Sequence, residues 1–133
     1  MRVMLDTNVI ISVIIFNNCE WNKMIEIISS KHRLVLSSYV VNELKSVTGR
    51  KFTAKTKDIE DFLIALPFEL VYTPDICEKG LFTIRDEKDY PVLYTAIIEK
   101  VDIFITGDKD FHEIEVDKPE IMTPATFIEK YTK

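Results

Sequence analysis

The chain has 133 residues, of which 47% are hydrophobic and 29% charged, the balance of a globular domain with enough apolar mass to bury a core rather than of a disordered chain. Its 17 basic and 22 acidic residues leave a formal charge of −5, which counts against a surface built wholly for nucleic acid. No apolar run approaches the roughly 20 residues of a membrane span, and Cys19 and Cys77 belong to no paired motif, so neither a disulfide framework nor a zinc site is expected.

Met1-Arg2 leads directly into an apolar segment, leaving no room for a secretory leader. One reduced, cytoplasmic domain over residues 1–133, without a membrane partner, is the expectation. Val3, Met4 and Leu5 in succession suit a strand buried on both faces, as in a parallel sheet. The run ends on Asp6. Thr7 to Phe16 reads as a buried helix, and Trp21, Met24, Ile25 and Ile28 fall at the i, i+3, i+4, i+7 spacing of an amphipathic one. Arg33 to Leu36 forms a second buried strand. Ser37-Ser38 supplies a cap for a helix from Tyr39 to about Val47, and Thr48 to Thr56 reads as loop or frayed helix.

Ile59, Phe62, Leu63 and Leu66 repeat the amphipathic spacing up to Pro67. A third strand covers Glu69 to Thr73, while Leu81 to Ile84 is ambiguous between element types. A helix is expected from Glu87 to Lys100, a fourth strand from Asp102 to Thr106, a break at Gly107, and a short fifth strand over Glu120 to Met122. Thr123-Pro124 then starts the last helix. Strands alternating with helices indicate an α/β domain with a mainly parallel central sheet.

Several acids sit where an apolar or neutral residue is ordinary. Asp6 stands at the carboxyl end of the first strand, where open parallel sheets bind ligands, although an Asp there also caps the following helix. Glu43 falls in the stripe formed by Val40, Leu44 and Val47, where a carboxylate is costly unless paired or turned to solvent. Asp89 shares a helical face with Leu93 and Ala96, although a first-turn acid is also favoured by the helix dipole. Asp86 and Glu87 read as ordinary loop or first-turn acids. Asp108 and Asp110 follow the fourth strand as Asp6 follows the first, in a Gly-Asp-Lys-Asp run that is also normal turn chemistry.

The conjunction is more informative than any member. Carboxylates gathered in one crevice repel one another unless cations neutralise them. An oxygen-only set without histidine or cysteine suits Mg²⁺ or Mn²⁺. Ions so held activate water and stabilise a leaving oxygen in phosphodiester hydrolysis. That reaction class follows from the acids alone.

The opening LDTNVI, Glu43 within SSYVVNEL, RDEKD with the following Leu93 and Ala96, and ITGDKDF occur in the order found in PIN domains. From Met1 to about Thr126 the chain resembles that family, in particular the members that serve as the toxin of a bacterial or archaeal toxin–antitoxin pair. The resemblance implies a three-layer α/β/α sandwich, a metal-dependent ribonuclease activity using Mg²⁺ or Mn²⁺, a homodimer and a cognate antitoxin. It carries the family's metal-binding acids onto Asp6, Glu43, Asp89 and Asp108, with Asp110 an additional acid in the last motif. Asn8 and Thr106 match polar positions that support the site by hydrogen bonds. Glu87 departs from the pattern, since relatives commonly have proline there.

Net acidity is concentrated in this set: without Asp6, Glu43, Asp89, Asp108 and Asp110 the remainder of the chain is neutral. Between Leu44 and Lys57 stand five basic residues, Lys45, Arg50, Lys51, Lys55 and Lys57, and no acids. This segment is a candidate RNA-backbone contact, or equally a solvated loop. His112 reads as a surface or supporting residue, His32 as a loop residue, and Trp21 as core; apolar residues of the Trp21 to Ile28 helix suit either core or a dimer or antitoxin interface.

Rival readings remain. An aspartyl-phosphate phosphatase calls for a second acid two residues after the first, where Asn8 stands. A response-regulator receiver calls for paired acids after the first strand, where only Asp6 is present. A non-catalytic PIN-type scaffold uses the carboxylates for a structural ion or for none.

Overall fold

The computed structural model describes residues 1–16 and 19–132. Five strands, β1 (Arg2–Leu5), β2 (Arg33–Ser37), β3 (Glu69–Val71), β4 (Ile103–Ile105) and β5 (Glu120–Met122), lie in the order β3-β2-β1-β4-β5. All four pairings are parallel, with Met4 opposite Val35 on one side and Phe104 on the other. Burial on both faces explains the uninterrupted apolar runs: Val3, Met4, Leu5, Val35, Leu36, Phe104 and Ile105 have no exposed surface.

Parallel neighbours need crossovers, and helices supply them. Helices α1 (Thr7–Ile14) and α2 (Cys19–Lys31) follow β1, α3 (Ser38–Lys51) and α4 (Thr56–Ala65) follow β2, and α5 (Tyr90–Ile98) leads into β4. Short α6 (Lys109–His112) follows β4 and α7 (Pro124–Tyr131) closes the chain. Among the described residues this makes a three-layer α/β/α arrangement of seven helices about the sheet, and no helix is long and apolar enough to cross a membrane.

The chain builds outward from β1 through β2 to β3, then returns past β1 to lay down β4 and β5. The direction of winding therefore changes at the central strand, the place where such sheets open a crevice at their carboxyl edge. The Phe104 and Phe111 rings meet edge to face at 5.1 Å, a pairing that adds about 0.5–1.5 kcal/mol to the burial of the two side chains. That contact seats α6 against β4 and fixes the segment between them.

Helix α1 ends at Ile14, short of the expected Phe16, and two other helix boundaries depart further from the sequence reading. Thr48 to Thr56 is mostly helical: α3 continues to Lys51 and a 3₁₀ turn spans Thr53–Lys55. Thr48 is buried, and its hydroxyl donates to the Leu44 carbonyl at 2.6 Å, so packing carries the helix past residues of low propensity. Conversely, no single helix covers Glu87 to Lys100. A 3₁₀ turn spans Glu87–Asp89 and α5 begins at Tyr90 with Pro91 in its first turn. Proline suits that place because its missing N–H would have no helical partner there.

At the amino edge of the sheet the acids have ordinary structural partners. Arg2 holds Glu69 through Nε at 3.1 Å and Nη2 at 2.8 Å. Asp102 accepts the Arg2 backbone N–H at 2.8 Å and pairs with Lys118 at 3.0 Å. These contacts hold the Asp102 carboxyl below its usual range, the Arg2 N–H first among them. The carboxyl edge is built differently.

Candidate active site

Asp6 is delivered by β1 and is only 5% exposed. Its backbone N–H donates to the Ile105 carbonyl at 3.1 Å, continuing the pairing with β4. Its Oδ1 accepts the Thr7 N–H at 2.7 Å, which caps α1, and its Oδ2 accepts the Thr106 hydroxyl at 2.8 Å. The capping and site readings of Asp6 are therefore compatible, because each oxygen keeps a lone pair beyond its one hydrogen bond.

Thr106 follows β4 and is fully buried. Its oxygen also accepts the Asp108 N–H at 3.1 Å, so one hydroxyl fixes both strand-end acids. Asp108 in turn caps α6, accepting the Asp110 N–H at 2.9 Å. His112 Nε2 lies 2.8 Å from the Thr106 carbonyl; a carbonyl only accepts, so this ring nitrogen carries the proton. Thr106→Val keeps the shape and removes the hydroxyl from a buried carboxylate. Urea unfolding at pH 7.5 is expected to show a loss of about 1.5–3 kcal/mol, the range for a hydrogen bond to a charged group.

Glu43 lies half-buried on α3, and its Oε1 accepts the Thr7 hydroxyl at 2.5 Å. This bond accounts for a carboxylate within an apolar stripe. Asp89 ends the 3₁₀ turn ahead of α5 and is half-buried. Its turn is held from two sides: Asp86 Oδ1 accepts the Lys88 N–H at 3.0 Å, and the Tyr39 hydroxyl of α3 donates to the Lys88 carbonyl at 2.8 Å.

Electrostatics show that these acids share one neighbourhood. The Asp6 carboxyl is pushed up to about 6, first by burial and then by Glu43 and Asp108, against the lowering effect of its bonds from Thr106 and Thr7. Asp89 is likewise pushed up to about 6, by burial and then by Asp86, Asp6, Asp108 and Glu43. Four acids from four separate segments thus act on one another. None of them forms an ion pair among the described residues. Asp110 joins the group from α6: with Arg85, Asp86, Glu87, Lys88, Asp89 and Asp108 it lines an open cleft.

The donor set is oxygen only, which matches a hard divalent ion, and its mutual repulsion is the charge that such an ion offsets. Among the described residues no three acidic, histidine or cysteine side chains already stand in ligating geometry, so ligation would require rotation of side chains. Asp89, with no hydrogen bond from a described residue to its carboxylate, is free to turn. The chemistry of the set fits Mg²⁺ or Mn²⁺.

Other sequence candidates fall outside this cluster. Asn8 is exposed and forms no side-chain hydrogen bond with a described residue. Lys45, Arg50, Lys51, Lys55 and Lys57 are all exposed, and Lys55 pairs with Asp58 at 3.6 Å. Along the helix axis Lys51 stands roughly 12 Å from Glu43. Sequence reasoning passed over Thr7, Tyr39 and Asp86. Asp86 reads from sequence as an ordinary first-turn or loop acid, yet it lines the cleft and, after burial, is the largest charge effect raising Asp89.

A parallel α/β/α domain with four acids converging from β1, α3, the turn before α5 and the end of β4 defines a class of protein. The chain belongs to the PIN domain family, whose model matches residues 2–110. Its fold is similar to a chain in the crystal structure of VapBC2 from Rickettsia felis bound to a DNA fragment from their promoter, with 22% identity, a TM-score of 0.69, and coverage of 92% of this chain and 97% of that one. Comparison with curated proteins finds no match.

Proposed function

We propose that the chain is a Mg²⁺- or Mn²⁺-dependent endoribonuclease, acting in the cytoplasm as the toxin of a toxin–antitoxin pair, with residues 1–133 as one nuclease domain. The observation that carries this reading is the gathering of Asp6, Glu43, Asp89 and Asp108 without any ion-pair partner among the described residues. Family membership supports the nuclease class. The resemblance to toxin-type PIN domains supports an antitoxin partner and a homodimer, and the fold shared with a chain of the VapBC2 structure is in keeping with the first of these.

In this reading Asp6, Glu43, Asp89 and Asp108 hold the ions, and Asp110 contributes directly or through water. When bound, divalent ions supply activation of a water molecule and neutralisation of charge at the phosphate. The protein's part is to hold the acids. Thr106 orients Asp6 and Asp108, Thr7 orients Glu43, and the Tyr39 and Asp86 contacts fix the turn that carries Asp89. Asp6, buried and hydrogen-bonded at both oxygens, is suited to holding a cation rather than to attacking phosphorus, which disfavours the phosphatase reading.

The test is an RNA-cleavage assay on protein purified free of any partner, with Mg²⁺, Mn²⁺ or EDTA. Cleavage with either ion and none in EDTA is expected. Equal cleavage in EDTA would remove the mechanism.

A further inference from the structure

A second depression adjoins the acid cleft, and Glu87 lines both. Its apolar wall consists of Ile76, Phe82, Ile84, Tyr90 and Pro91, and its polar groups include Asp75 and Thr83. Tyr90 directly follows Asp89, so the acid cluster and the pocket meet on consecutive residues. We propose that this pocket receives one unpaired nucleobase of the RNA strand whose phosphate lies at the acid cleft. The inference rests on the ribonuclease reading and adds a determinant of which base flanks the cut.

Three observations point to a base. First, Phe82 and Tyr90 stack with ring centroids 4.3 Å apart and planes 15° from parallel, and Tyr90 continues to Tyr94 at 5.9 Å and 25°. A base extends such an aromatic column, because every base has a π-face and unstacked RNA bases are taken up on aromatic side chains. Second, the wall is held in place. The Tyr90 hydroxyl donates to the Glu78 carbonyl at 2.6 Å and accepts the Leu81 N–H at 3.4 Å, pinning the loop that carries Phe82 to the start of α5.

Third, the charges suit a strand passing from cleft to pocket. Lys79 lines the pocket and Arg85 and Lys88 line the cleft. None of the three forms an ion pair among the described residues, which leaves them to the phosphates. The Asp75 and Glu87 carboxylates accept hydrogen bonds. They therefore favour a base bearing an exocyclic amino group, such as adenine or cytosine, over uracil.

The test uses the full chain and short single-stranded RNAs with Ca²⁺ in place of Mn²⁺. In one set 2-aminopurine is moved along the strand; in a second, an abasic nucleotide is moved in the same way. Quenching of 2-aminopurine at one position is expected, with about tenfold weaker binding when that position is abasic, the scale of one stacked base. Phe82→Ala is expected to bring the abasic ratio below about twofold. Ile76→Ala, at a residue 87% exposed and hence of little consequence for folding, is expected to reduce it in the same direction. Wild-type ratios in both variants, or quenching that is equal at every position, would overturn the proposal. A parallel Mn²⁺ cleavage assay separates the two readings: absence of cleavage by the wild type removes the nuclease, whereas cleavage with unaltered base preference in both variants removes only the pocket.

Discussion

Asp6→Asn is expected to lower metal-dependent RNA cleavage on the order of 10²–10³-fold, the scale of losing one preorganised electrostatic group from an active site, while leaving the folded protein as stable as the wild type or more so. The two halves of this expectation have the same cause. Asp6 is nearly sealed from water and its carboxyl is pushed up to about 6, by burial first and by Glu43 and Asp108 next. At pH 7.5 the folded chain nonetheless carries it ionised, at a cost of roughly 2–3 kcal/mol relative to an unperturbed carboxyl. Asparagine removes the charge. Its carbonyl oxygen still accepts the Thr7 N–H, and its amide donates to the Thr106 oxygen once that hydroxyl turns. Paired measurements of cleavage and urea unfolding at pH 7.5 check the result. A variant that loses activity because it unfolds would show that Asp6 serves the fold rather than the reaction.

Much of this arrangement was legible in the sequence, for reasons that differ by residue. Val3-Met4-Leu5 marked β1 as buried on both faces because a parallel strand has no solvated side. Ser37 before a helical pattern identified the start of α3, and its oxygen does accept the Val40 N–H at 3.1 Å. Glu43 stood out because an acid in an apolar stripe needs a partner, but the partner could not be named. Thr7 becomes its neighbour only once α1 and α3 pack together, a long-range fact with no local signature. The same limit applies to the acids as a group: that β4 lies beside β1, bringing Thr106 and Asp108 to Asp6, depends on strand order. Asp89 was placed on a helical face, whereas Pro91 and the Asp86 cap turn that stretch into a 3₁₀ turn followed by α5. The polar stretch from Thr48 reads as loop or frayed helix, and only the packing of α3, which buries the Thr48 side chain, carries the helix on to Lys51.

In EDTA, the chain is expected to become more stable as pH falls from 7.5 towards about 5, and Mn²⁺ is expected to flatten or reverse that trend. Asp6 and Asp89 are both carried up to about 6 in the fold. A carboxyl whose folded value is raised binds its proton more readily folded than unfolded. Its penalty is therefore fully present above the folded value and is relieved as pH falls through it. Asp6 dominates, since Asp89 is partly exposed and better screened. His32, held below its usual value chiefly by burial, works in the opposite direction in the same range. Asp102, held low by the Arg2 N–H and Lys118, withdraws its stabilisation only at more acid pH. The net gain is expected at roughly 2 kcal/mol, or a rise in Tm of roughly 6–8 °C for a domain of this size. Mn²⁺ binds the ionised carboxylates, so at a concentration 100 times its Kd it adds about 2.7 kcal/mol near pH 7.5 and progressively less as protons compete below pH 6. Asp6→Asn should lose most of both effects. A Tm in EDTA that falls steadily from pH 7.5 to 5, unchanged by the ion, would mean that these carboxylates carry no penalty from burial and mutual repulsion and share no cation.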